Sequence, residues 1–135
     1  MNKEHNSKID ISNTPYQIMG EQQVKDLANA FYDVMEQDPN AAELYAVHPK
    51  PMIEIREKFF EFLSGWTGGP DLFAQKYGHP RLRARHLPFP IDQLMRDQWM
   101  YCMDKALSQV VTNKAVKNHL RQAFAQLATH MINKH

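Results

Sequence analysis

The chain has 135 residues, of which 43% are hydrophobic and 23% are charged, and this balance suits one globular domain with a real core. Its formal net charge of +1 gives no support for a nucleic-acid partner or an anionic membrane surface. The single cysteine, Cys102, excludes an intrachain disulfide and fits a reducing compartment, so a cytoplasmic location is expected.

The first residues of the chain differ from the rest. Residues 1–14 are polar and contain no apolar run, which predicts a flexible N-terminal extension and not a signal peptide. Residues 15–135 make up the predicted domain. No stretch approaches the roughly 20 apolar residues that a membrane-spanning helix needs, so no membrane contact is expected.

Apolar side chains recur at helical spacing through most of the domain, and no segment outside the proline-rich stretch alternates as a strand would. Pro15 opens a short segment that ends at Gly20, and Pro39 and Gly68 interrupt the pattern further on. The pattern therefore predicts an all-α fold with two long helices, a broken middle and two more long helices. The predicted helical segments are 21–37, 41–47, 52–66, 71–77, 91–108 and 116–131.

The broken middle contains an unusual stretch from Gly78 to Ile91, with two histidines, three arginines and three prolines. Prolines fix their own φ and bias the preceding residue away from the helical region, so a long helix cannot run through it. At most one or two helical turns fit before Leu87. His86 is therefore predicted at the end of a short, rigid turn, just before the helix that carries Trp99, and this arrangement suggests a ligand site.

Common catalytic and metal motifs are absent from the sequence: it has no CxxC, no HExxH and no glycine-rich phosphate loop. His48, His79 and His86 could in principle meet at a zinc ion, but their spacing matches no known set of ligands. The basic run 76–85 has three readings: a nucleic-acid patch, a solvated face, or arginines that pair with a bound carboxylate. The near-neutral net charge favours the solvated face over nucleic acid.

One histidine is enough to hold a haem, because the porphyrin supplies the four equatorial nitrogens. The macrocycle also needs a large apolar slot between helices, and a helical chain with seven phenylalanines and eight methionines can provide one. The residues alone leave His86 open between an iron ligand and an ordinary histidine.

Several separated motifs resemble those of the group II truncated haemoglobins, the two-over-two helical globin family. They are Phe31-Tyr32 followed by Asp38-Pro39, then Gly68-Gly69-Pro70, then Gly78-His79-Pro80-Arg81-Leu82-Arg83-Ala84-Arg85-His86-Leu87-Pro88-Phe89-Pro90-Ile91, and finally Arg96-Asp97-Gln98-Trp99. The likeness runs from about Pro15 to the C-terminus and implies a truncated globin fold, a two-over-two α-helical sandwich around haem b. The family commonly has a glycine pair between its first two helices, whereas this chain has only Gly20 there, which leaves the sharpness of that turn open.

The resemblance also implies roles for individual residues. His86 would be the proximal iron ligand, and Tyr32 and Trp99 would donate hydrogen bonds to a ligand on the distal side. A third distal position would be filled by His48, with Tyr45 as the alternative. The remaining expected haem contacts are Phe89 and Ile91 on the proximal side, Ile55 and Phe59 on the distal side, and Lys58, Arg83 and Arg85 at the propionates.

The expected function is reversible binding of O₂, and of other small ligands such as NO, CO or peroxide, at a five-coordinate ferrous iron, with oxygen transport as one use. The alternative is enzymatic: NO dioxygenation or peroxide chemistry on the same haem, with an external reductase, since no flavin or nicotinamide motif occurs in the chain. A ferric iron with six ligands is a further possibility if His48 reaches it. The contrasting hypothesis is a haem-free helical module that docks through its basic run.

Overall fold

The structure is a computed structural model that describes residues 13–135. Within these residues the regular structure is entirely helical, as the periodicity predicts. The predicted flexible extension lies outside the described residues, apart from its last two. The α-helices are α1 (Pro15–Gln37), α2 (Ala42–Ala46), α3 (Ile53–Trp66), α4 (Leu72–Tyr77), α5 (Leu82–His86), α6 (Gln93–Val110) and α7 (Lys114–His130), and a single 3₁₀ turn, Pro39–Ala41, precedes α2.

Helix α1 begins with a complete capping box. The Thr14 side chain accepts from the Gln17 N–H, and the Gln17 side chain accepts from the Thr14 N–H, so two otherwise free donors are satisfied. Gly20 then leaves the helical region with φ of 82° and ψ of 162° and divides α1 into two pieces. Because glycine carries no Cβ, one glycine is enough to form this break, and the family's second glycine is not needed here.

The four long helices form two layers around one core. Helix α1 packs against α3 and α6, and α6 packs in turn against α7. The side chains in the centre come from all four: the most deeply buried large ones are Val24, Leu27, Phe31, Met35, Leu63, Met103, Leu107, Val116, Leu120 and Phe124. The predicted two-over-two helical sandwich is therefore confirmed. No helix within residues 13–135 is long and apolar enough to cross a membrane.

The ends of α6 and α7 are set by side-chain caps. Asp92 accepts from the Met95 N–H and Asn113 accepts from the Val116 N–H, so each is an N-cap. As a result α6 begins slightly later, and α7 slightly earlier, than apolar spacing predicts. Spacing locates the apolar face of a helix, whereas the cap fixes its first residue.

A buried carboxylate joins the short helix α4 to α3. Glu61 is only 2% exposed, and its two oxygens accept from the Tyr77 hydroxyl at 3.0 Å and from the Lys76 ammonium at 2.5 Å. Both partners lie at the end of α4. These contacts with Glu61 fix the end of α4 against α3, and therefore fix where the connection to α5 begins.

Candidate haem site

Helix α5 presents His86 at its last residue. The backbone reaches α5 through two residues with positive φ, Gly78 at 83° and Arg81 at 43°. A left-handed conformation at a residue other than glycine costs roughly 1–3 kcal/mol and persists only where its surroundings impose it. Here the Arg81 N–H is held by the Nδ1 of His79 at 3.1 Å. The predicted short turn before Leu87 is therefore present.

The ring of His86 is oriented by the backbone of its own helix. Its Nδ1 lies 2.7 Å from the Leu82 carbonyl oxygen, which can only accept, so Nδ1 carries the proton. The other ring nitrogen, Nε2, then has a free lone pair. A metal-binding histidine typically uses its second nitrogen in this way, because the hydrogen bond fixes the tautomer and the ring direction.

The two arginines of α5 bind backbone carbonyls. The Arg85 guanidinium donates to the carbonyls of Tyr77, His79 and Pro80 at 2.5–3.2 Å, which ties α5 to the preceding loop. The Arg83 guanidinium donates to the carbonyls of His130, the last residue of α7, and of Ile132, just beyond it. These contacts hold α5 in place. Their predicted pairing with haem propionates stays a prediction, as does that of Lys58, whose ammonium lies 5.2 Å from the centre of the Tyr77 ring.

Tyr32 lies on α1 within a cluster of rings. It is 4% exposed, and its ring centre lies 4.9 Å from that of Phe31, 5.7 Å from that of Phe59 and 5.9 Å from that of His48. Its hydroxyl has no hydrogen-bond partner among residues 13–135. Burial raises the pKa of this hydroxyl well above its ordinary value, partly offset by Arg56, so it stays protonated and able to donate.

Trp99, on α6, joins the same cluster. Its ring centre lies 4.9 Å from that of Phe31 and 6.3 Å from that of Phe59. Phe59 and Ile55 are half-buried on α3 and pack against the core. The structure therefore brings together four of the predicted distal residues, Tyr32, Trp99, Phe59 and His48, from α1, α6, α3 and the corner after α2.

His48 is the residue at this corner that reaches Tyr32, whereas the Tyr45 ring lies 4.1 Å beneath the Lys50 ammonium. The Nδ1 of His48 donates to the Leu44 carbonyl at 2.8 Å, so its Nε2 also has a free lone pair. Burial, Lys50 and His86 lower the pKa of His48, and the bond to Leu44 opposes them.

A residue that sequence reasoning did not assign holds this corner in place. Gln98 is buried on α6, where its Oε1 accepts from the Leu44 N–H at 2.9 Å and its Nε2 donates to Glu43 at 2.7 Å. Leu44 in turn accepts from His48, so Gln98 connects α6 to His48. The sequence feature that could have indicated a role for Gln98 is its place beside Trp99 in the Arg96–Trp99 motif.

These residues fit a haem. Tyr32 supplies a buried hydroxyl without a partner in the described chain, and His86 supplies an imidazole nitrogen, Nε2, that is free to coordinate. Of the two residues predicted on the proximal side, Phe89 is 47% exposed and Ile91 is half-buried, so both have apolar surface available to a macrocycle. Among residues 13–135 no three His, Cys, Asp or Glu side chains gather as a bare metal ion would require. The arrangement is typical of a small helical haem protein.

Comparison of the sequence with known proteins also indicates a small helical haem protein. Residues 14–133 match the family model described as bacterial-like globin. The group 2 truncated hemoglobin YjbI of Bacillus subtilis (strain 168) is 35% identical over 122 residues, which cover 90% of each chain.

Solved structures agree as well. The cold-adapted truncated hemoglobin of the Antarctic marine bacterium Pseudoalteromonas haloplanktis TAC125 is 57% identical with a TM-score of 0.90, over 91% of this chain and 100% of that one. The group II 2-on-2 hemoglobin of Agrobacterium tumefaciens is 35% identical with a TM-score of 0.88, over 91% and 96% of the two chains. The chain therefore belongs to the bacterial-like globin family, as a group II truncated haemoglobin. Membership implies a haem cofactor and the binding of gaseous ligands such as O₂.

Proposed function

We propose that this protein holds haem b through the Nε2 of His86 and binds O₂ reversibly at a five-coordinate ferrous iron. One observation carries the proposal: the hydrogen bond from His86 Nδ1 to the Leu82 carbonyl leaves Nε2 as the coordinating atom. When bound, the haem supplies the iron at which a diatomic gas coordinates.

On the proximal side the protein controls the direction of one imidazole. The Leu82 carbonyl fixes the tautomer of His86 and makes Nε2 a better electron donor. Arg85 ties the helix that carries His86 to the loop before it. Phe89 and Ile91 follow directly and would exclude water from the proximal side of the ring.

On the distal side the protein supplies neutral hydrogen-bond donors in an apolar surrounding. The Tyr32 hydroxyl stays protonated because its pKa is raised by burial, and the Trp99 indole N–H can only donate. O₂ held by the haem would carry partial negative charge, so the Tyr32 hydroxyl and the Trp99 N–H would both stabilise it. Each such bond contributes about 0.5–1.5 kcal/mol, enough to slow ligand escape by up to about tenfold.

His48 has a different role in this proposal. With its proton on Nδ1 and its pKa lowered, it offers a lone pair at Nε2 and not a donor. While no gas is bound, it would therefore accept a hydrogen bond from Tyr32 or coordinate the ferric iron. Identical ferric absorption spectra for the wild-type protein and His48→Ala across neutral pH would contradict the coordinating role.

The test of the main proposal is absorption spectroscopy of the haem-reconstituted protein in its ferric, ferrous and CO-bound states. We expect a Soret band that shifts on reduction and on CO binding, and its loss in His86→Ala. His119→Ala, which changes an exposed histidine on α7, should match the wild type. A protein without a Soret band, or a His86→Ala variant with a wild-type spectrum, would show that the proposal is wrong.

A second candidate function uses the same site. Tyr32 and Trp99 both pack on Phe31, at 4.9 Å each, and both side chains can be oxidised, which favours chemistry on bound O₂ or peroxide. A bound haem would supply the iron for NO dioxygenation, in which O₂, NO and one electron from an external reductant give nitrate. Repeated turnover of NO by the oxygenated protein with a reductant would support it, and a single reaction without turnover would limit the protein to binding.

A further inference from the structure

The chain that follows α7 runs beside the segment that carries His86, and Asn133 connects the two. Its side-chain oxygen accepts from the Ile91 N–H at 2.9 Å, and its side-chain nitrogen donates to the Phe89 carbonyl at 3.1 Å and to the His86 carbonyl at 3.4 Å. The backbone N–H groups of Asn133 and Lys134 both donate to the Ile91 carbonyl, at 2.9 and 3.0 Å. Asn133 therefore joins the C-terminal segment to the last residue of α5 and to two residues after it.

A second contact fastens α5 itself to the same C-terminal segment. Arg83 lies three residues before His86, and its Nη1 donates to the carbonyls of His130 and Ile132 at 2.5 and 3.0 Å. The last carbonyls of a helix have no partner within the helix, so those at the end of α7 are free to accept from outside. The chain is thus held on both sides of His86.

Apolar packing does not hold this segment. Helix α5 has no buried residue, and Leu87 and Phe89 are 57% and 47% exposed. Among the contacts within the described chain, hydrogen bonds therefore do most to set where the His86 backbone lies, and Asn133 supplies side-chain bonds to the residues after it. We propose that Asn133 is a positioning residue for His86, which fixes the height and tilt of the imidazole and thereby slows haem loss. This inference rests on the proposed role of His86 as the iron ligand.

The amide of Asn133 is chemically suited to this position because it both accepts and donates. Asn133→Ala removes all three side-chain bonds. Asn133→Asp keeps an acceptor for the Ile91 N–H but places a negative charge against the Phe89 and His86 carbonyls. Asn118 provides a matched control, since it is exposed on α7 and its side chain meets only Arg121, at 3.4 Å.

Three measurements test the proposal on Asn133→Ala, Asn133→Asp and Asn118→Ala. The first is the iron–histidine stretching band of the ferrous protein by resonance Raman spectroscopy. The second is the rate of haem transfer to an excess of apomyoglobin, and the third is amide hydrogen exchange at Ile91 and Lys134 in the haem-free protein. We expect both Asn133 variants to shift or broaden the band, to lose haem about tenfold faster and to exchange Ile91 faster. Asn118→Ala should match the wild type throughout.

The proposal is overturned if both Asn133 variants keep the wild-type band and haem-loss rate, or if Asn118→Ala changes them equally. If one Asn133 variant fails to fold, the other decides by the same criteria. The His86→Ala variant distinguishes a failure of this proposal from a failure of the proposed function. Loss of its Soret band together with unaltered Asn133 variants rejects the positioning role alone, whereas a retained Soret band in His86→Ala rejects iron ligation by His86.

Discussion

The Tyr32 hydroxyl is a buried hydrogen-bond donor surrounded by aromatic side chains, and it has no partner in the described chain. Tyr32→Phe removes one oxygen and keeps the edge-on contact with Phe31. Because no internal hydrogen bond is lost, we expect the free energy of unfolding of the haem-free protein to stay the same or rise slightly. The O₂ dissociation rate of the haem protein should rise by up to about tenfold, as measured by stopped-flow displacement with CO.

Tyr45→Phe is the matched control, because this tyrosine lies near the same corner but stacks under Lys50. It should leave the O₂ dissociation rate within about twofold of the wild type. A larger effect from Tyr45→Phe than from Tyr32→Phe would contradict the assignment of Tyr32 and revive Tyr45 as the distal residue.

His48 should make stability depend on pH. An unfolded histidine has a pKa of about 6.5, and burial lowers the value in the folded protein. Below pH 6.5 the unfolded chain therefore binds more protons than the folded one, so the free energy of unfolding falls as pH decreases. The contribution is fully present above the unfolded pKa and is lost as pH falls towards the folded value.

Urea unfolding of the haem-free protein at several pH values between about 7.5 and 5 measures this effect. His48→Gln should show a shallower decrease in stability over this range than the wild type. His119→Gln changes an exposed histidine on α7 and should keep the wild-type slope. If the slopes of wild type and His48→Gln coincide, His48 is not buried as a neutral group.

At the scale of elements, the turn after α3 and the start of α1 approach each other closely. The Tyr16 N–H donates to the Thr67 carbonyl at 2.9 Å, and a Cβ placed on Gly69 would overlap the Tyr16 ring. Gly69→Ala should therefore destabilise the protein by about 1–3 kcal/mol, because the ring has to move. The measurement is the midpoint of chemical unfolding.

A double-mutant cycle isolates this contact. Tyr16→Ala removes the ring, so Gly69→Ala should cost much less in that background than in the wild type. Equal costs in the two backgrounds would mean that the effect of Gly69→Ala is not due to the Tyr16 ring. The overlap with the Tyr16 ring is a physical reason for a glycine at position 69 of the Gly68-Gly69-Pro70 motif.

The helices and the proximal turn could be predicted from sequence because their signals are local. Apolar spacing marks the faces of α1, α3, α6 and α7, and the prolines at 80, 88 and 90 limit α5 to a short helix. The prediction that Tyr32, His48 and Trp99 are distal residues rests on the family resemblance, since nothing in their spacing along the chain places them around one space.

The contacts that hold the site could not be predicted in this way, because they join distant parts of the chain. Asn133 lies 47 residues from His86, and Gln98 lies 54 residues from Leu44. Nothing in the sequence around either residue distinguishes its side-chain amide from that of any other asparagine or glutamine. Their roles depend on the direction in which α7 ends and on the face that α6 turns to α2, which only the assembled fold determines.

At the scale of the whole molecule, the core contains one thiol, that of Cys102. Its reactivity measures whether the core is closed. Cys102 on α6 is 0% exposed. Burial, with a smaller effect from Asp38, raises the pKa of its thiol to about 12. The unfolded thiol has a pKa of about 8.5, so above that value the unfolded chain releases a proton that the folded one keeps. The Cys102 contribution to stability is therefore present below pH 8.5 and is lost as pH rises towards 12.

Two measurements follow from the same burial. The thiol of the native haem-free protein should react with a disulfide reagent at pH 8 far more slowly than that of protein unfolded in guanidinium, because only thiolate that reaches solvent can react. Between pH 8 and 10 the free energy of unfolding should fall less steeply in Cys102→Ala than in the wild type. Ser108→Ala, an exposed change on the same helix, should keep the wild-type slope. Native and unfolded protein that react equally fast would mean that the two helical layers do not close around Cys102 without haem.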